Sequence, residues 1–206
     1  MLKLLINVLP TLFILTILII IIRIIYMVYN DKKVIFYKEI IMFIFVFYIL
    51  FLYYMVTFKD NNYGVNNFII FKEILRYNIK SPLFFRNVIG NILLFIPLGL
   101  FLTYYKKNSS FFHTFLFSII VSFLIELIQS MIGRTFDIDD IILNLIGSIT
   151  GFYLFNTTMN LKKKLPNFLK KQLFLDILSF IIILVIIYLI ANLYIGGIYL
   201  ELYRVF

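Results

Sequence analysis

The 206-residue chain has no cysteine and no tryptophan. Without a thiol there is no disulfide, no sulfur-ligated metal and no cysteine nucleophile. Charge is scarce as well, at 14% of residues against 63% apolar, with a mean hydropathy of +1.04. Soluble chains carry about 25% charged residues and roughly 45–50% apolar ones, so a water-soluble globule is excluded and the lipid bilayer must be the solvent. The net charge of +9 could suggest nucleic acid, but Lys and Arg fall in short groups between apolar runs instead of along one face. They read as topology determinants, and no nucleic-acid partner is expected.

What is abundant is long apolar runs. A hydrocarbon core about 30 Å thick needs roughly 20 residues at 1.5 Å each. Six runs qualify, at about Leu4–Tyr29, Ile40–Phe58, Asn87–Tyr105, Phe111–Ile132, Ile138–Thr158 and Leu173–Tyr194. The expected fold is an all-α, polytopic membrane bundle of about six transmembrane helices. Three parts are expected: two N-terminal membrane helices over 1–60, a core with an amphipathic segment and three membrane helices over 61–160, and a basic loop with a C-terminal membrane helix over 161–206. The first run is too long for a signal-peptide core and has no small-residue cleavage site, so it reads as a retained anchor.

The longest connection, Lys59 to Arg86, is not uniformly polar. Phe68, Phe71, Leu75 and Ile79 fall at helical spacing among Lys72, Glu73 and Arg76, which predicts a helix over Asn67–Ile79 lying in the membrane interface; a loop folded over the bundle is the alternative. Orientation follows from the basic residues. With the first loop cytoplasmic, eleven Lys and Arg lie inside and eight outside, so both termini are expected outside. Whatever the sign, helix counting places Arg86 and the Arg134–Asp140 loop on one side.

Polar groups within a membrane span are costly and therefore mark candidate functional positions. The fourth run carries Ser122, Glu126 and Gln129 on one helical stripe, Glu126 lying roughly 9 Å below the interface at 1.5 Å per residue. Its natural partners are Arg134 or Arg86. The following loop sets Asp137, Asp139 and Asp140 beside Arg134, with Asn144, Gly147 and Gly151 continuing the Asp140 face. Small residues four apart allow close helix packing. The third run adds Asn87 and Asn91 around Gly90, and Pro97 with Gly99 marks a kink. Each element also has a structural reading: Asp137 as a helix cap, Glu126 as an ion-pair partner, the asparagines as interhelical glue. His113, the only histidine, opens the fourth run at the opposite face and reads as interfacial.

At these residues the chain resembles the VanZ-like family of bacterial membrane proteins. Arg86-Asn87-Val88-Ile89-Gly90-Asn91 followed by Phe95-Ile96-Pro97-Leu98-Gly99 is similar to its first signature. Ser122, Glu126, Gln129, Arg134, Asp137, Asp140, Asn144, Gly147 and Gly151 are similar to its second. Asn67-Phe68-Ile69-Ile70-Phe71-Lys72 resembles a preceding element in which Ile70 stands where proline is usual. The resemblance covers about Asn67 to Thr158. It implies a multi-pass protein of the bacterial cell membrane, in a family whose founding member is associated with low-level teicoplanin resistance.

Two functions are therefore weighed. One is a non-enzymatic envelope protein whose outward-facing polar cluster holds a lipoglycopeptide, a lipid headgroup or a cell-wall precursor. The other is an intramembrane enzyme using Glu126 and the aspartates as oxygen ligands for a divalent cation, or Glu126 as a base. The absence of His and Cys from the cluster favours the first, with no catalytic residue, metal or cofactor expected. A transporter would need inverted repeats or broken midplane helices, and no internal repeat is evident.

Overall fold

The computed structural model describes residues 2–58, 66–106 and 110–202, with side chains described for most of them. Lys59, Lys107 and Arg204, which enter the charge count, lie outside the described residues. The helices in chain order are α1 (Leu2–Tyr29), α2 (Phe36–Phe58), α3 (Lys72–Arg76), α4 (Pro82–Phe84), α5 (Gly90–Tyr105), α6 (Phe111–Met131), α7 (Ile138–Lys164), α8 (Asn167–Lys170) and α9 (Gln172–Leu202). A π-helical turn, Phe85–Ile89, joins α4 to α5. The stretches Phe36–Met55, Pro82–Tyr105, Phe111–Met131 and Ile138–Lys164 are long and apolar enough to cross a membrane, and Ile14–Tyr29 and Gln172–Val185 are shorter apolar helices. The protein is an all-α membrane bundle.

Its amphipathicity is inverted relative to a soluble helix. On α6, Thr114, Ser118, Ser122, Glu126 and Gln129 are buried, while Leu116, Ile120, Phe123, Leu124, Leu127 and Met131 are exposed. Exposed apolar side chains cost nothing in hydrocarbon, whereas polar ones must find partners inside the bundle.

Packing divides the chain into two compact units, one of Met1–Ile44 with Lys164–Phe206, the other of Phe45–Lys163. In the first, Arg23 grips Glu39 through Nε and Nη2 at 3.0 and 3.2 Å. The Tyr37 backbone N–H donates to Asp176 Oδ1 at 2.8 Å, and Phe36 lies 6.4 Å from Phe180, which ties the start of α2 to α9. The boundary at Ile44 falls inside α2, where a reading of apolar runs has no reason to place one.

The second unit holds the core of Tyr48, Leu52, Phe95, Leu98 and Ile125, with Phe45, Leu94 and Phe101 packed against it. Tyr48 donates its hydroxyl to the Leu94 carbonyl at 2.9 Å, beside the point where Pro97 cannot donate to Leu93. Helices α5 and α7 meet at backbone distance. A methyl group on Gly147 would collide with the Ile92 carbonyl oxygen, one on Gly151 with that of Ile96, and one on Gly99 with that of Ser148. Gly90 is different, since a methyl there would stand 3.6 Å from the Phe85 oxygen.

The connection between α2 and α5 corrects one expectation. Helical spacing over Asn67–Ile79 predicts a single helix, but only Lys72–Arg76 is helical. Asn67 is instead drawn into an isolated parallel bridge with Asp137: its N–H donates to the Phe136 oxygen at 2.8 Å and its carbonyl accepts from Ile138 at 3.1 Å. Phe71 takes a left-handed conformation with φ 66°, so the helix begins only after it. Ser81 then caps α4, its Oγ accepting from the Phe84 N–H at 3.1 Å with Pro82 at the first helical position. The segment is a loop strapped to the start of α7.

Candidate functional site

The site begins with how α6 ends. Gly133 adopts φ 84°, its N–H bonds the Ser130 carbonyl at 3.3 Å, and the Arg134 N–H bonds the Gln129 carbonyl at 3.0 Å. This paired closure of the last turn requires a left-handed residue, which glycine adopts without penalty. It folds Arg134 back over the helix it has just left. With its amide oriented to satisfy both neighbours, Gln129 accepts from Arg134 Nη1 at 2.7 Å and donates to Glu126 Oε1 at 3.0 Å. Glu126 Oε2 accepts from the Asp137 backbone N–H at 3.0 Å. Both Glu126 oxygens are therefore acceptors, in a side chain only 1% exposed.

Three aspartates follow, each with a different partner. Asp137 caps α7: its Oδ1 accepts from the Asp139 N–H at 2.9 Å and from Asn67 Nδ2 at 2.8 Å. Asp139, also 1% exposed, turns away from the cluster and takes the strap's backbone, accepting from Phe71 at 2.6 Å, Glu73 at 2.8 Å and Ile74 at 3.3 Å. Its carboxylate sits at the N-terminus of α3, where the unpaired N–H groups favour negative charge. Asp140 faces inward. It accepts from Asn91 Nδ2 on α5 and lies within electrostatic reach of Arg134. One turn deeper, Asn144 Nδ2 donates to Ser122 Oγ at 2.9 Å, and Ser148 Oγ reaches the Phe95 carbonyl at 3.5 Å.

The structure thus brings Asn91, Ser122, Glu126, Gln129, Asp140 and Asn144 onto the facing sides of α5, α6 and α7, with Arg134 and Asp137 at the rim. Arg86 is not among them: it is exposed, and its Nε lies 3.5 Å from Asn87 Oδ1. Asn87 donates to the Tyr77 hydroxyl at 2.9 Å, on the strap side. The π-helical turn at Phe85–Ile89 changes the helix register there, which simple α-helical counting from Asn91 does not see. Two contributors, Asn67 and Gly133, lie outside the apolar runs, while Asp139 stands inside the fifth, conspicuous as an acid but not in the partner it takes. Gly133 was detectable as a glycine directly after a helical run, and Asn67 lies in a motif; the direction of Asp139 depends on a loop 65 to 68 residues away in sequence.

Burial acts on the two rim groups outside the spans. It pushes the Asp137 carboxyl above its ordinary value, outweighing the hydrogen bonds from Asn67 and the Asp139 backbone. It lowers the Arg134 guanidinium, while Glu126 and Asp140 act in the opposite direction. Arginine remains charged under all ordinary conditions. For Asp137 the sign is as follows. A folded value above the unfolded one, about 3.9, means that its stabilising contribution is complete below that pH and is lost as pH rises through the raised value. Asp137→Asn keeps the Oδ1 acceptor and cannot ionise. Thermal unfolding followed from acid to neutral pH is therefore expected to fall less steeply in this variant than in the parent; an unchanged slope would show that Asp137 contributes nothing to it.

Chemically the cluster is a set of opposed donors and acceptors around one guanidinium. Among the described residues no three His, Asp or Glu side chains converge on one point. Ser122, fully buried, is already an acceptor for Asn144, and His113 is paired with Ser110 Oγ at 2.6 Å at the far end of α6.

Comparison with known proteins bears on the same region. A model of the family described as VanZ/LLP1 matches residues 41–162, more than half of the chain. Protein VanZ of Enterococcus faecium is similar at 40% identity over 84 residues, covering 38% of this chain and 52% of that protein. The match thus spans about half the length of this curated relative. No solved structure matches. With the matched segment containing α5, α6, all but the last two residues of α7 and every residue of the polar cluster, the chain belongs to the VanZ/LLP1 family.

Proposed function

We propose that this is a non-enzymatic protein of the bacterial cell membrane that contributes to tolerance of lipoglycopeptides of the teicoplanin type by engaging a polar envelope ligand at the Glu126–Gln129–Arg134 cluster. The observation that carries the reading is the placement of Arg134. Its guanidinium is half-buried at the end of α6, linked through Gln129 to a buried carboxylate and flanked by Asp140. A planar fork of N–H donors held at the membrane boundary suits the phosphate or carboxylate of a lipid headgroup or cell-wall precursor. The name of the Enterococcus faecium relative supports the resistance reading. The excess of basic residues assigned to the opposite side supports an outward-facing cluster.

Two measurements test this. Teicoplanin tolerance is expected to fall on deletion, to rise on overexpression and to stay at the deletion level when Glu126→Ala replaces the parent; tolerance unmoved by all three ends the resistance reading. Because the chain has no cysteine, Thr135→Cys supplies a single thiol in the loop beside Arg134. It is expected to react with a membrane-impermeant reagent on intact cells. Reaction only after the inner face is opened would reverse the topology and remove the extracellular ligand.

A further inference from the structure

The strap between Phe68 and Ile79 places large apolar side chains in the open. Phe68 is 68% exposed, Leu75 81% and Ile79 71%, and Ile69, Ile70 and Phe71 are also more than half exposed. Lys72, Arg76 and Lys80 stand among them, Arg76 paired with Glu73 at 3.1 Å. Such a run is not carried into water by chance, since a contiguous apolar patch marks an interaction surface.

Its anchorage says which one. The strap is bound to residues 136–139 by the Asn67 bridge and by the three N–H groups on Asp139, so it cannot leave the point where the α6–α7 hairpin emerges from the bilayer. Phe68 stacks on Phe136 at 5.5 Å, and Phe136 meets Phe123 edge-on at 6.2 Å. Phe123 belongs to the exposed apolar face of α6, the face that meets lipid. The strap's apolar surface therefore continues the hydrocarbon-facing surface of α6, with cations placed along it as on an amphipathic interfacial segment.

We propose that the strap is a lipid-binding surface seated in the headgroup layer of the protein's own bilayer, with Phe71, Leu75 and Ile79 in the acyl boundary and Lys72 and Lys80 on anionic phospholipid headgroups. It requires no particular ligand at the Arg134 cluster and stands apart from the resistance reading. Anchoring is supplied by Asp139, which satisfies the first N–H groups of α3, so the strap can present side chains to lipid without exposing that part of its backbone to hydrocarbon.

The absence of tryptophan makes the test direct. Leu75→Trp and Ile79→Trp each give one indole at an exposed position of the full-length protein, reconstituted in vesicles of phosphatidylcholine and phosphatidylglycerol. Quenching by brominated lipids is expected to place both indoles roughly 5–10 Å into the headgroup and acyl boundary, with little quenching by aqueous iodide. Brominated phosphatidylglycerol is expected to quench about twofold more than brominated phosphatidylcholine, a preference abolished by Lys72→Gln with Lys80→Gln. Free access to iodide without lipid quenching would overturn the proposal. Shielding from both quenchers would overturn it too, by showing that protein and not lipid covers the strap. Equal quenching by the two lipids would refute the anionic preference.

Discussion

Glu126→Gln is expected to destabilise the protein by about 2–3 kcal/mol, and adding Gln129→Glu is expected to restore most of that loss, although the charge then sits one turn away. The reason is directional. Arg134 and the Asp137 backbone are donors, and Gln129 passes one donation along to Glu126. An amide in place of the Glu126 carboxylate must turn its NH2 toward either the Asp137 N–H or the Gln129 NH2. If Gln129 reverses to receive it, its own NH2 faces Arg134. Every arrangement sets one donor against another at Glu126 or Gln129, both of them buried. In the double variant the carboxylate now at position 129 accepts both from Arg134 and from the amide now at position 126, whose oxygen in turn accepts from the Asp137 N–H. Denaturation of the purified protein in detergent, run as a double-mutant cycle, measures the coupling. Additive losses in the two single variants and the double variant would show that the chain of donors is not what holds these residues together.

The second large effect lies at the crossing of α5 and α7. Gly147→Ala and Gly151→Ala are each expected to cost about 3 kcal/mol, the upper end of overpacking penalties, since the colliding atoms are backbone carbonyls that cannot turn aside. The helices would have to separate, and with them Asn91 from Asp140, so loss of fold and loss of teicoplanin tolerance are expected together. Gly90→Ala is the control. It has room for the methyl group and gains helix propensity, so its stability is expected to stay within about 1 kcal/mol of the parent or rise. Equal behaviour of the three alanine variants would show that α5 and α7 are not in backbone contact.

Much of the fold was open to reading because the bilayer imposes a simple rule. A helix is the local structure that satisfies its own backbone in hydrocarbon, so a run such as Phe111–Ile132 declares itself by length and apolarity, and the helix found there ends within one residue of it. Buried polar side chains are equally conspicuous. Ser122, Glu126 and Gln129 stand out on one stripe because lipid would not tolerate them. Between the spans these constraints lapse. The spacing of Phe68, Phe71, Leu75 and Ile79 is genuine helical spacing, yet Asn67 is held in a bridge by Asp137 and the helix shrinks to Lys72–Arg76. Arg86 and Arg134 are equivalent candidates as partners of Glu126 on charge alone. Gly133 turns Arg134 inward, and the π-helical turn leaves Arg86 at the surface.

From the sequence alone came the all-α membrane bundle, the positions of its long apolar helices and the handful of polar residues too costly to face lipid, because each depends on local periodicity or on transfer from water to hydrocarbon. The tertiary structure decided which carboxylate serves which partner: Asp137 the cap of α7 and Asn67, Asp139 the strap, Asp140 the α5 asparagine, Glu126 the chain of donors leading to Arg134. Four acids within fifteen positions are chemically alike on paper. They differ in the direction each side chain leaves its backbone, and in which donors, contributed from up to seventy residues away, happen to lie there.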